Sequence, residues 1–421
     1  MTTGLYPRFS AAEFARRYAA ARALMKAEGV DALVVYGDSG VSRHNHADIH
    51  YLSGFLGNRN NYVVMTAAQE PVIFVQSFNH VPNAREASAI RTEWGGASSA
   101  ATIAGYLNDA ALGKATLGYV GDVPVQSYLA WQRALAGWHF KDVTRAFRRL
   151  RLVKSAEEID WLKKGAALTD AALTSLIDSV KPGMREYELG AIVESTALHG
   201  GGLPHLCYLS SGAQEGAGAC VPRQNLSNRM IERGDVINTE ISVSHWGYSG
   251  QMHRPIFVGA GPVDLYRKLW DTTLEAYERC VKALRAGATS EDVLDAGDVI
   301  AERGFTINDG FLHGFGIGLL PPSIGTREST GRRGELGPKF TLKKTCASSC
   351  SRTSLRTTRV PACSSATYSV SRATAPNACT ACLCSTTSPS RITHEESFLR
   401  SRRRARIACC IAGGAGYQHR S

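Results

Sequence analysis

Val236-Ile-Asn-Thr-Glu-Ile-Ser-Val-Ser-His-Trp246, then Gly247, then Tyr248-Ser-Gly-Gln-Met-His-Arg-Pro-Ile-Phe-Val258 is the stretch whose reading decides the fold. Two runs rich in β-branched and aromatic residues flank a single glycine, which is the pattern of an antiparallel hairpin. Working outward, Leu206 to Ser210 reads as a further strand. Two helices precede it. Ser155 followed by Glu158 is a capping box, Ile159, Leu162, Ala166, Leu173 and Leu176 mark one helical face, and Pro182-Gly183 stops the helix. The second helix runs from Glu186 to His199 and ends at Gly200 to Gly202. Beyond the hairpin, helices are predicted over Leu265–Ala286 and Ser290–Arg303, ahead of the glycine-rich Leu312-His-Gly-Phe-Gly-Ile-Gly-Leu319. This order predicts an antiparallel sheet with helices on one side.

The first 150 residues carry a different pattern. Ala11 to Ala27 has helical spacing, Ala32-Leu-Val-Val-Tyr36 is a short buried strand, and Tyr62-Val-Val-Met65 and Pro71-Val-Ile-Phe-Val75 are further strands. Ala104 to Leu112 and Val125 to Leu135 fit helices. Alternating helix and strand at this spacing predicts a mixed or parallel sheet covered by helices. The fold class is therefore α+β: an N-terminal α/β domain over 1–150, and an antiparallel sheet with helices over 151–340.

The 421 residues are 44% hydrophobic and 20% charged, which suits two or three globular domains and excludes a disordered or collagen-like chain. No apolar run approaches the roughly 18 residues of a membrane span, and the start Met1 to Pro7 has no leader character, so a cytoplasmic location without membrane contact is expected. The net charge of +11 would ordinarily suggest nucleic acid. It belongs wholly to residues 341–421, which hold 13 of the 48 basic residues and only Glu395 and Glu396 among the acids. The first 340 residues are neutral, so no nucleic-acid partner is expected.

Cysteine splits in the same way, with Cys207, Cys220 and Cys280 before residue 341 and the other eight of the 11 after it. Ser, Thr, Arg, Ala, Cys and Pro clustered without periodicity are what a GC-rich gene yields when translated out of frame. Residues 341–421 are accordingly read as an aberrant basic tail, a frameshift product that buries too little apolar area to order itself. The sheet is then expected to be incomplete at its C-terminus, leaving the chain as it stands inactive.

Several motifs in order resemble the pita-bread superfamily of creatinase, prolidase, aminopeptidase P and methionine aminopeptidase, the M24 peptidases. They are Ile49-His-Tyr-Leu-Ser-Gly-Phe55, Arg151-Leu-Val-Lys-Ser-Ala-Glu-Glu-Ile159, Lys181-Pro-Gly-Met-Arg-Glu186, Arg233-Gly-Asp-Val236 with its hairpin, and Gly314-Phe-Gly-Ile-Gly318. The resemblance implies a creatinase-type N-terminal domain followed by a pita-bread catalytic domain, a hydrolase, and a homodimer in which a neighbour's N-terminal domain reaches the site, which would give Arg43-His-Asn-His46 a role there.

Peptidases of this superfamily bind two metal ions through two Asp, one His and two Glu, the first two in the pattern I-D-x-G…G-Y-x-x-D-x-x-R. Glu240 and Gln251 stand at the two Asp positions with the spacing kept, and Phe315 stands at the His of G-H-G-I-G. A neutral amide is a poor bridging ligand and a phenyl ring is none, so no metal and no other cofactor is expected. The superfamily's metal-free member, creatinase, uses a histidine for the proton and carboxylates for a cationic substrate. By that analogy His313, Glu240 and His253 are the catalytic candidates, and Arg254, Gln251, Phe315 and Tyr248 the substrate-binding ones. His205 and His245 are within reach. Glu240 is equally readable as a strand carboxylate paired with Arg254 or His253, and Cys220 as a small buried residue.

The function expected is metal-independent cleavage of a C–N bond in a small amidino, amide or N-substituted amino-acid compound. The alternatives are an Xaa-Pro dipeptidase or aminopeptidase with an eroded metal site, and a non-catalytic binding module. The partner expected is a small-molecule or dipeptide-like substrate.

Overall fold

Runs that are apolar at every position need cover on both faces, and the N-terminal sheet provides it. The computed structural model describes residues 5–38, 46–110, 112–215, 222–307, 310–328 and 339–343, and the backbone of strands at 348–357 and 366–370. Chain contacts divide it after Leu152 into two units.

The first unit alternates α1 (Ala11–Glu28), β1 (Ala32–Gly37), α2 (Ala47–Ser53), β2 (Asn61–Thr66), β3 (Val72–Val75), α3 (Val81–Ala87), β4 (Arg91–Trp94), α4 (Ser99–Asp109), β5 (Thr116–Val120), α5 (Val125–Ala134), β6 (His139–Asp142) and α6 (Thr144–Leu150). Strand order is β4-β3-β2-β1-β5-β6, parallel except at β2. Leu33, Val35, Val63 and Ile73 face one core, with Ile49 and Phe147. Val34, Val64 and Phe74 face the other, with Ile103 and Trp131.

Local signals set the ends. Ser10 caps α1 by accepting from the Glu13 amide, and Gly29 closes it in the left-handed region that glycine enters freely. α4 begins five residues before the predicted Ala104, because the Ser98 hydroxyl accepts from the Ala101 amide. Ile49 to Ser53 of the first motif lies on α2, all of whose residues are buried.

The second unit contains α7 (Ala156–Ser179), α8 (Glu186–His199), β7 (Leu203–Ala213), β8 (Asp235–His245), β9 (Tyr248–Ser249), β10 (Met252–Phe257), α9 (Asp264–Ala283), α10 (Ser290–Gly297), α11 (Val299–Glu302), β11 (Phe305–Ile307), β12 (Leu312–Gly316), β13 (Gly318–Ile324), β14 (Ser348–Thr357) and β15 (Ala366–Val370). Its sheet runs β13-β12-β14-β15-β10-β8-β7, and every described pairing is antiparallel. Both Ser155 and Glu158 make the capping-box bonds at the start of α7. Ile237, Ile241, Val243, Met252 and Ile256 pack into one core with Leu173, Leu176, Leu189 and Val193 of α7 and α8.

Two strands from residues 341–421, β14 and β15, stand between β12 and β10, and the second unit is otherwise incomplete at its C-terminus, as the sequence predicts. Among the described residues no helix is long and apolar enough to cross a membrane.

Candidate functional site

Directly opposed residues of paired strands share a face. Tyr208, Glu240 and His253 are opposed across β7, β8 and β10, so the hairpin that carries Glu240 brings His253 beside it. The Gln251 amide donates to Glu240 Oε1 at 3.1 Å, and His253 Nε2 lies 3.6 Å from the same oxygen. That second contact is not an ion pair. Burial, then the nearby His313 and Arg254, holds the His253 imidazole well below its ordinary pKa, so it is neutral around pH 7. The Glu240 side chain is 15% exposed, so this carboxylate is shielded but reachable.

β12 supplies the opposite wall. Phe315 is buried, its ring 5.7 Å from that of His313 and 6.5 Å from that of His205, nearly parallel to the latter. β12 and β7 are five strand positions apart in the sheet. At about 4.8 Å per step a flat sheet would hold them some 24 Å apart, so the contact requires a strongly curled sheet. His205 reaches this place from a β-bulge between Pro204 and Leu206, and the Ser249 hydroxyl meets its Nδ1 at 2.8 Å. Bulges re-aim side chains in this way.

Two candidates from the sequence are elsewhere. Arg254 lies opposite Thr239, on the face that carries Ile237, Ile241 and Met252, and its Nη1 donates to the His253 carbonyl at 2.9 Å. Its charge acts on Asp170 of α7, whose carboxyl burial pushes up to about 6, against the pull of that guanidinium. Glu240 is thus in contact with Gln251 and His253 and faces away from Arg254. The Tyr248 hydroxyl donates to Glu158 at 2.7 Å and its ring meets Trp161, so Tyr248 anchors the hairpin turn to α7. His245 also packs on Trp161, with its pKa brought down to about 4 by burial and then by Lys164. Cys220 and Arg43 to Asn45 lie outside the described residues. Burial, then Glu194, pushes the Cys207 thiol up to about 12, so it stays protonated near neutral pH.

The sequence reading passed over Ser210, Asn238 and Ser242. Each is buried, and Ser210 Oγ, Asn238 Oδ1, Ser242 Oγ and both ring nitrogens of His253 have no hydrogen-bond partner. Each such atom costs about 1–3 kcal/mol. Their signal was present: polar Asn238, Glu240 and Ser242 alternate with Ile237, Thr239 and Ile241, which puts them on one face. Among the described residues no cluster of three or more His, Cys, Asp or Glu has the arrangement of a metal site.

Comparison with known proteins agrees with this architecture. Residues 17–153 match the Creatinase/Prolidase N-terminal domain, and residues 160–343 match Metallopeptidase family M24. Over 184 residues the chain is 30% identical to the Xaa-Pro dipeptidase of Pyrococcus furiosus, a segment covering 43% of this chain and 51% of that protein. Over 328 residues it is 25% identical to the creatinase of Bacillus sp. (strain B-0618), covering 75% and 77% of the two chains. The crystal structure of the prolidase from Pyrococcus horikoshii OT3 superposes with a TM-score of 0.69 at 20% identity, over 85% of this chain and 94% of that one. The match thus spans about half the length of the Pyrococcus furiosus dipeptidase.

Proposed function

The chain belongs to the creatinase/prolidase superfamily of M24 hydrolases, and on that premise we propose that it cleaves a C–N bond in a small amidino, amide or N-substituted amino-acid substrate without a metal ion. The observation that carries this reading is the state of Glu240. It is a single carboxylate, already engaged by the Gln251 amide and lying beside a neutral imidazole.

The superfamily's two divalent ions call for several anionic oxygens and an imidazole. The described residues here offer one carboxylate, a neutral amide, the imidazoles of His253, His205 and His313 and the phenyl ring of Phe315, and with a single anionic oxygen donor group that set does not fit two divalent ions. It does suit a cationic nitrogen group held by Glu240. His313, beside Phe315, then takes a proton from attacking water and returns it to the leaving nitrogen as the C–N bond breaks. Phe315 keeps bulk water from one side. The Bacillus sp. relative named creatinase, matched over 75% of this chain, supports this choice, and the relatives named Xaa-Pro dipeptidase support the alternative.

Because the chain as it stands is expected to be inactive, the test is elemental analysis of a version whose reading frame after residue 340 is restored, with turnover of amidines, amides and Xaa-Pro dipeptides before and after EDTA. Substoichiometric metal with chelator-resistant turnover of an amidine or amide is expected, falling at least a hundredfold in His313→Ala. Two tightly bound ions with chelator-sensitive Xaa-Pro cleavage would instead make the chain a metallopeptidase. Absence of any turnover would make it a binding module.

A further inference from the structure

Four buried residues around Glu240 have hydrogen-bonding capacity that the protein does not use. Ser210, Asn238, Ser242 and His253 are 3%, 3%, 2% and 0% exposed, and each has at least one side-chain atom without a partner. The register puts them together: Ser210 opposes Asn238, His253 opposes Glu240, and Ser242 follows two residues along the same strand face. Buried polar atoms in native proteins are nearly always satisfied. A single exception can be filled by a water molecule, but a row of them beside a partly exposed carboxylate marks a place that a ligand completes.

The chemistry of the row restricts that ligand. Glu240 only accepts, and the unused atom of Asn238 is its carbonyl oxygen, with the Tyr266 hydroxyl hydrogen-bonded to the same side chain. Serine hydroxyls accept as well as donate, and neutral imidazole offers one acceptor nitrogen. A negative charge with unused acceptors along one strand face, beside the donor amide of Gln251, suits a flat cation bearing several N–H groups, whose donors diverge in one plane. A quaternary ammonium has no N–H to give, and a neutral amide lacks the charge. Ser242 also departs from the superfamily pattern I-D-x-G, in which its position is glycine, so the hydroxyl is an addition in this chain.

We infer that Ser242, with Ser210 and Asn238, determines specificity by receiving the N–H groups of an amidinium or guanidinium whose charge is held by Glu240. This rests on the proposed function and adds to it the residues that select the cation.

The test is calorimetric titration of the full chain with acetamidinium, tetramethylammonium and acetamide, for the wild type, Ser242→Gly, Ser242→Ala, Ser210→Ala and Glu240→Gln. Thermal melts confirm that each variant is folded. Acetamidinium is expected to bind the wild type, about tenfold more weakly to either Ser242 variant, and several-fold more weakly to Ser210→Ala. Tetramethylammonium and acetamide are expected to give no heat. Wild-type affinity for acetamidinium in all three serine variants, with binding lost only in Glu240→Gln, would overturn the inference and leave the Glu240 anchor standing. Equal binding of acetamide would overturn the inference and leave the amide branch of the proposed function standing, whereas failure of the wild type to bind either acetamidinium or acetamide would overturn both.

Discussion

Gly165 and Gly250 are the residues at which α7 and the hairpin turn touch backbone to backbone. A Cβ at Gly165 would lie 2.1 Å from the Tyr248 carbonyl oxygen, and one at Gly250 would lie 2.6 Å from the Ala166 Cα. No side-chain rotation relieves either clash, because the atoms met are main chain. The adjacent Thr169 hydroxyl donates to the Gly165 carbonyl at 2.9 Å and accepts from the Val243 amide at 3.0 Å, so the contact is also hydrogen-bonded. Gly165→Ala is therefore expected to lower stability by about 3 kcal/mol, seen as a lower urea midpoint. Gly105→Ala is the matched control, since that helical glycine in α4 has nothing within 4 Å of its would-be Cβ. It should gain up to about 1 kcal/mol. Equal midpoints for the two variants would show that α7 does not approach the hairpin this closely. The same contact bears on the site, because it sets the turn from which Gln251 and His253 depart.

Between elements, Glu186 does the work that the Gly165 contact does between helix and turn. Fully buried at the start of α8, its carboxylate accepts from the amide and hydroxyl of Ser211 on β7 and from the amide and hydroxyl of Ser227 in the following loop. Burial alone would raise its pKa, but those hydrogen bonds outweigh it and hold the carboxyl below its ordinary value. Glu186→Ala strands the buried donors of Ser211 and the half-buried ones of Ser227 at once, so a loss of about 3 kcal/mol is expected in chemical denaturation. A loss under 1 kcal/mol would mean that water replaces the carboxylate. The sequence revealed where α8 lies but not this role, since Glu at the first turn of a helix is ordinary. The same limit governs the rest of the reading. Strand and helix positions from α7 to α9 followed from period and capping, which are local. Glu240, Gln251 and His253 could be grouped because a hairpin converts sequence spacing into opposition. The approach of His205 to Phe315 could not be foreseen, because it depends on a bulge and on the curl of a whole sheet. Asn238 and Ser242 were legible as an alternation, yet only their burial shows that the polar face is shut away from water.

For the whole molecule, the buried titratable groups of the second unit set two opposing pH dependences. His245, brought down to about 4, and His253, well below the ordinary 6.5, stay neutral in the native form while the unfolded chain takes up protons below pH 6.5. The unfolded state then binds more protons, so their contribution to stability is lost as pH falls from 6.5 toward 4. Asp170 works the other way. Its carboxyl, raised from 3.8 to about 6, holds a proton in the native form that the unfolded chain has already released, so its contribution is lost as pH rises from about 4 to 6. Asp170→Asn keeps the neutral form at every pH. The variant should match the wild type near pH 4, where Asp170 is already protonated in the native form. It should exceed the wild type by about 3 kcal/mol at pH 7.5, and its own stability should therefore climb more steeply with pH. Urea unfolding of both proteins at pH 4, 5.5 and 7.5 measures the difference. If Asp170→Asn is instead the less stable protein at pH 7.5, the attraction of Arg254 outweighs the cost of burying the carboxylate. The two charges would then act as an ion pair bracing α7 against the strand that carries His253.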